Sequence, residues 1–232
     1  MRTLVITGAS KGIGFETARL FADDGYRVIN ISRSAAPDDR IENHGIDLTM
    51  SNAEQQLREL FDLLLDAGEI CLVHNAAVLA NDTAQATETD AFVDVLALNV
   101  VAPHFLNQLV LPRMQPGSSV IYLGSTLSEK AVAGTYSYVV TKHAIVGMMR
   151  ATCQDLKGTG IHTTCICPGF TDTEMLRVHV GEDQDVLSQI AASSTFGRLI
   201  EPKEIAATIR FAAGNPVING AVIHANLGQV EH

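Results

Sequence analysis

The sequence predicts an α/β fold: a doubly wound parallel sheet of about seven strands in a single domain, with helices on both faces. Three observations predict it. Short β-branched runs alternate with longer stretches of helical spacing almost from end to end. The strand-like runs are continuously apolar, as strands covered on both faces must be. No linker, repeat or low-complexity tract interrupts the 232 residues, a length that suits one large α/β domain.

TLVIT, Thr3 to Thr7, reads as the first, buried strand, and a helix follows from about Ile13 to Asp24, stopping near Gly25. RVINIS, Arg27 to Ser32, is the second strand. HGIDL around Ile46 reads as a short third strand, and the polar stretch from Arg33 to it as a loop or single helical turn. EICLVHN near Leu72, SSVIYLGS, IHTTCIC and AVIHAN complete the strands. Helical spacing marks NAEQQLRELFDLLLDAG, the segment from about Thr87 to Pro112, and YSYVVTKHAIVGMMRATCQDLK.

Bulk properties narrow the function. Hydrophobic residues make up 47% and charged residues 18%, ample for a buried core. The net charge of −10 argues against nucleic acid and acidic membranes as partners, since both need a basic face. No uninterrupted apolar run approaches the roughly 18 residues of a membrane span. The N-terminus enters a strand directly, without a signal-peptide pattern, so a cytoplasmic location is expected. Cys71, Cys153, Cys165 and Cys167 form no C-x-x-C pair and read as reduced, buried thiols; the histidines lack metal-ligand spacing, so no metal is expected.

The first strand runs into TGASKGIG, where Gly8, Ser10, Lys11, Gly12, Ile13 and Gly14 precede a helix. Glycine permits the tight turn and lets backbone N–H groups approach a pyrophosphate at the positive helix end. This position, after the first strand of an alternating chain, is the context a dinucleotide site requires. The second strand ends Ile31-Ser32-Arg33, with no carboxylate for a ribose 2′-hydroxyl. Arg33 and Lys11 are placed to meet a 2′-phosphate, so NADP(H) is expected in preference to NAD(H).

In TYSYVVTKHA, Tyr138 and Lys142 are four apart and share a helix face, whereas Tyr136 is turned away. TGASKGIG, an NAA triplet after the fourth strand, Asn99, Ser125, Y-x-x-x-K and PG after the sixth strand together resemble the short-chain dehydrogenase/reductase family in its compact, single-domain Rossmann branch. The resemblance covers essentially the whole chain. It implies a tetrad of Asn99, Ser125, Tyr138 and Lys142. Tyr138 would be the general acid/base. An adjacent ammonium favours the phenolate of a group whose free pKa is about 10. Lys142 would also hold the nicotinamide ribose, Ser125 would stabilise charge on the substrate oxygen, and Asn99 would link Lys142 to solvent through water. Taken singly, Tyr138 and Lys142 read better as an ordinary surface pair, Ser125 as a helix cap or turn residue, and Asn99 as a capping or solvated helix residue.

The resemblance also implies adenine contacts from Asp47 and Leu48, and adenosine contacts from Asn75, Ala76 and Ala77, where Ala77 replaces a customary glycine. It implies that Pro168, Gly169, Phe170, Thr171 and Thr173 face the nicotinamide. His74 and His143 read as packing and helix-flank residues. The segment after Gly169 reads as a mostly apolar substrate lid. The C-terminal part looks especially like 3-oxoacyl-(acyl-carrier-protein) reductases, in which Arg177 stands where an arginine serves the carrier. Only Arg113 remains of their basic cluster before the fifth strand, and the net charge opposes an acidic carrier. The expected activity is therefore NADPH-dependent reduction of a small-molecule carbonyl or oxidation of the alcohol. The alternatives are the carrier-protein reductase and a non-catalytic NADP-binding sensor. A homo-oligomer, tetramer or dimer, is implied, and the face of Ile145, Met148, Met149 and Thr152 suits such a contact or packing on the chain's own sheet.

Overall fold

The strands are β1 (Thr3–Thr7), β2 (Arg27–Ser32), β3 (Ile41–Gly45), β4 (Ile70–His74), β5 (Ser119–Leu123), β6 (His162–Pro168) and β7 (Ala221–Ala225). In the computed structural model, which describes residues 1–181 and 183–229, they form one parallel sheet in the order β3-β2-β1-β4-β5-β6-β7. The chain starts in the middle, winds outward to β3, then crosses back to β4. The order therefore reverses between β1 and β4, and the crevice outside their carboxyl ends is where such sheets take ligands. Every residue of β1, β4 and β5 is buried, which accounts for their unbroken apolar character.

Two hydrophobic clusters cover the sheet. On one face lie α2 (Ala53–Leu64), α4 (Ala102–Val110) and α5 (Tyr136–Asp155), which bury Leu57, Phe61, Leu106 and Met149. On the other, α1 (Gly12–Asp23) and α8 (Pro202–Ala213) bury Ala18, Phe21, Ile205 and Ile209. The doubly wound single domain predicted from the sequence is the observed one.

Two expectations change. The third strand runs Ile41–Gly45 and stops short of the predicted centre at Ile46. It lies at the sheet edge with only Ile41 buried, so its polar sequence carries no apolar signal. Its register comes from polar pairs instead: Arg27 donates twice to Glu42 at 2.7 Å, and Asn30 donates to Asn43 at 2.8 Å. The connection before it is a loop, as expected.

The long central helix is also interrupted. It runs as α3 (Thr89–Leu96), a π turn over Ala97–Val101, α4 and a short 3₁₀ turn over Leu111–Arg113. Thr89–Arg113 as a whole is long and apolar enough to pass for a membrane span, but half of its most apolar stretch is buried within the domain, as in a core helix. On the α5 face that suited either a subunit contact or packing on the chain's own sheet, Ile145, Met149 and Thr152 are buried within this chain, while Met148 is only partly buried against the core.

Candidate active site

The turn between β1 and α1 is shaped by glycine. Gly8 and Gly12 adopt φ of +71° and +59°, which side chains rarely tolerate. A Cβ on Gly14 would lie 2.5 Å from Asn75 Nδ2 and closer still to the Gly8 carbonyl oxygen. Helix α1 begins without a side-chain cap and without an acidic residue in its first turn. Its first N–H groups are therefore left for an anion, which fits a pyrophosphate.

Buried polar groups brace this loop. Thr7 Oγ1 accepts from the N–H groups of Asn75 (3.1 Å) and Ala76 (3.0 Å), while Asn75 Nδ2 donates to the carbonyls of Thr7 and Gly8. Asn75 thus clasps β4 to β1. Asn30, fully buried, accepts from Ala9 N–H at 3.0 Å and donates to Ser32 Oγ. Neither Asn30 nor Thr7 was found from the sequence. An Asn and a Thr within or closing apolar strands were the available signal.

Arg33 is exposed beyond buried Ser32. Lys11 sits in an ion pair with Glu174 at 2.7 Å, which directs that cation toward the segment after β6. Asp47 Oδ1 accepts from the backbone and hydroxyl of Thr49 (3.0 and 2.8 Å). These bonds, with a smaller pull from Arg33, hold its carboxyl below the ordinary range. Leu48 is buried in the core.

Tyr138 lies in the first turn of α5, and Lys142 one turn later. Both are buried. Lys142 Nζ is 5.3 Å from the centre of the Tyr138 ring and donates to the Leu123 carbonyl at the end of β5, 2.7 Å away. That bond fixes the ammonium beside Gly124-Ser125. Ser125 caps the following 3₁₀ turn: its Oγ accepts from Leu127 N–H, and its N–H donates to Ser128 Oγ, both at 3.1 Å. The cap reading of Ser125 is therefore correct, and it leaves the hydroxyl proton available to a second acceptor.

Asn99 occupies the π turn, a deformation that often marks functional sites. Its amide clamps Val78 through both N–H (2.9 Å) and carbonyl (3.0 Å) and donates to Thr141 Oγ1, which bonds the Tyr138 carbonyl. The solvated reading of Asn99 does not hold, because it is buried with its side chain fully engaged. Tyr136 is 41% exposed and stacks on Phe92. Asp82, missed from sequence, accepts from Ser137 N–H at 3.0 Å and so tethers the first turn of α5.

Beyond β6, Gly169 N–H donates to the Ala225 carbonyl, and a Cβ on Gly169 would meet Asn226 at 3.0 Å. Pro168 closes β6, Thr171 is buried and Phe170 is partly exposed. Thr173 caps α6 (Glu174–Val180) through Leu176 N–H, and its methyl stands 3.4 Å from where a Gly12 Cβ would lie. Arg177 forms a two-point ion pair with Asp172 at 2.8 and 3.0 Å, and Arg113 pairs with Asp62. The glycine loop, the end of β4, the Ser125 turn, the start of α5 and the loop after β6 thus all sit at the carboxyl ends of the strands.

A family model described as enoyl-(acyl carrier protein) reductase matches residues 8–229, nearly the whole chain. The chain belongs to the short-chain dehydrogenase/reductase family. Membership makes this dehydrogenase/reductase an oxidoreductase of CH–OH and C=O groups that uses a nicotinamide cofactor. Among its relatives, an Arabidopsis thaliana protein named NADPH-dependent aldehyde reductase-like protein, chloroplastic, is 28% identical over 99% of this chain and 94% of its own length. A 3-oxoacyl-(acyl-carrier-protein) reductase of Vibrio cholerae is 26% identical over 98% and 96%. Ligand-free Thermoplasma acidophilum aldohexose dehydrogenase shares the fold, with a TM-score of 0.88, 22% identity and coverage of 98% and 93%.

Proposed function

We propose that the protein is an NADPH-dependent carbonyl reductase or, in reverse, an alcohol dehydrogenase, with Tyr138 as its general acid/base. The observation that carries this reading is the buried Lys142 ammonium 5.3 Å from the Tyr138 ring and anchored to β5 just before Ser125. Gly8, Ser10, Gly12, Ile13 and Gly14 would hold the pyrophosphate, and Ser32 and Arg33 the adenosine ribose. Asp47, Leu48 and the Asn75–Ala77 stretch would line the adenine side; Pro168 to Thr171 and Thr173 would face the nicotinamide. When bound, the nicotinamide supplies or accepts hydride. Ser125 donates to the substrate oxygen, and Tyr138 passes a proton to that oxygen or takes one from it. Lys142 would hold its ammonium beside the phenol ring and offer its other N–H groups to ribose hydroxyls. Asn99 keeps the start of α5 in register through Thr141.

NADPH preference rests on Arg33, with Lys11 from the glycine loop as a second cation whose exposed ammonium also pairs with Glu174. A dedicated carrier-protein reductase is the weaker reading: Arg177 and Arg113 are already paired with carboxylates, and the chain carries −10. A cytoplasmic homo-oligomer, with cofactor and substrate sites in the same domain, completes the proposal.

The test compares the parent with Tyr138→Phe, using NADPH and NADH against ketones, 3-oxoacyl thioesters, quinones and steroids. Loss of proton transfer lowers kcat by about 10²–10⁴-fold. A parent no faster than the Phe variant on every substrate would sink the enzyme reading and leave the sensor.

A further inference from the structure

A cavity of about 460 Å³ opens between the 81–86 segment, the loop just before α5 and helix α6, lined by Asn81, Asp82, Thr83, Ala86, Ala133, Gly134 and His179. It is large enough for a small organic ligand. Among the described residues, six buried side-chain polar atoms lack a partner, and two belong to residues that line this cavity, Asp82 Oδ2 and His179 Nδ1; a third, Ser137 Oγ, is on the residue tethered to Asp82. A buried polar atom without a partner costs free energy, so a cluster beside a cavity calls for something to bond there.

The scaffold explains one half of Asp82. Its Oδ1 tethers Ser137 N–H, its N–H donates to the Gly134 carbonyl at 2.9 Å, and its own carbonyl accepts from Tyr136 N–H. Those bonds hold the carboxylate against Ser137, the residue before Tyr138, and leave its second oxygen without a partner. His179 arrives from α6, the helix whose N-cap Thr173 touches the glycine loop.

The geometry points to Asp82 and His179 as a substrate handle for a hydroxyl group, making the substrate a hydroxylated carbonyl compound or the corresponding polyol. A hydroxyl both donates and accepts, so one such group can donate to Asp82 Oδ2 and still pair with either tautomer of His179. An ammonium has no lone pair for an imidazole N–H, and an alkyl chain would satisfy neither atom. Asn81 and Thr83 add neutral polar groups at the same wall. This inference rests on the reductase reading for its chemistry, but the binding it predicts does not depend on turnover.

Two measurements on the full-length protein decide it. Calorimetric titration with erythritol should show saturable binding that weakens at least ~10-fold in both Asp82→Asn and His179→Leu; 1,2-dimethoxyethane, which has ether oxygens and no hydroxyl, should bind at least ~10-fold more weakly than erythritol. Asn keeps an acceptor for Ser137 N–H, so the Asp82 variant retains the tether. In the second, the kcat/KM ratio of hydroxyacetone over acetone should exceed ~10 in the parent and collapse toward one in both variants. A merely structural role for these side chains would lower both substrates together and leave the ratio alone. Absent erythritol binding, binding indifferent to both substitutions, or equal binding of propylamine or 1,2-dimethoxyethane would each overturn the handle. If erythritol binding depends on both residues while Tyr138→Phe matches the parent in turnover, the handle stands and the catalytic reading falls.

Discussion

The two sides of the crevice are built differently. On the glycine-loop side, β1, β2 and β4 are tied by Thr7, Asn30 and Asn75, every one of which bonds backbone at the strand ends. On the other side, α6 and α7 (Gln184–Ala192) each bury one residue, Leu176 and Leu187, while Val178 is 77% exposed and polar atoms are left unpaired. The first side is determined by the backbone's own needs. The second is a sparsely buried wall, with side-chain polar atoms that have no partner among the described residues. A surface that must meet different substrates gains from being the less constrained one.

The largest effect should come from tightening the constrained side. Gly14→Ala puts a methyl against the Gly8 carbonyl and the Asn75 amide, neither of which can yield without breaking the β1–β4 clasp. It should cost about 3 kcal/mol or more in urea unfolding, beyond ordinary overpacking, and weaken cofactor binding in parallel. A loss below about 0.5 kcal/mol would show that the loop is as pliable as the opposite wall.

Two histidines sharpen the contrast, since each has a buried Nδ1 without a partner. His179 borders a cavity. His74 is sealed beneath the β4 end, with Nε2 bonded to Asn107, which donates to Tyr122 at 2.7 Å. Burial pushes the His74 pKa down to about 4 from an ordinary 6.5, outweighing the Asn107 bond. The unfolded chain therefore binds the proton first as pH falls. Stability is full above about 6.5 and erodes down to about 4, by about 3 kcal/mol between pH 7 and pH 4. His74→Gln should remove that part of the slope; parallel curves for parent and variant would mean that the imidazole can be protonated in place.

These contrasts explain what could be read from the chain alone. Buried strands announce themselves through unbroken apolar runs, and Gly14 and the Tyr138–Lys142 pair stand at spacings that backbone geometry dictates. The third strand was misplaced because an edge strand held by Arg27–Glu42 and Asn30–Asn43 has no apolar period to detect. Asn30 and Asp82 were missed for a related reason: a lone polar residue reads the same whether it braces buried backbone or faces water, until its partners, here Ala9 and Ser137, are known. The pairing of Lys11 with Glu174 could not be read from the chain, because the two lie more than 160 residues apart in sequence.

The cofactor-side comparison can be tested for charge as well as shape. Arg33 is the exposed cation at the tip of β2, near Asp47. Arg33→Asp should shift the NADPH/NADH preference in kcat/KM by about 10–100-fold toward NADH, an effect of about 1.4–2.7 kcal/mol, because a 2′-phosphate would meet a carboxylate while a 2′-hydroxyl could donate to it. An unmoved ratio would mean that the ribose pocket lies elsewhere.

The smallest effect belongs to the loose wall. Val178 is exposed on α6, outside both hydrophobic clusters. Val178→Ser removes little buried area, so unfolding stability should stay within about 0.5 kcal/mol of the parent. The same change alters the face next to His179, so any shift should appear in KM for carbonyl substrates and leave the unfolding midpoint where it was. A loss of stability above about 1 kcal/mol would show that α6 is packed by a neighbour, a second copy of this chain being the first to examine by sedimentation. In that case the wall would be as constrained as the glycine-loop side, and the asymmetry between the two would belong to the isolated chain alone.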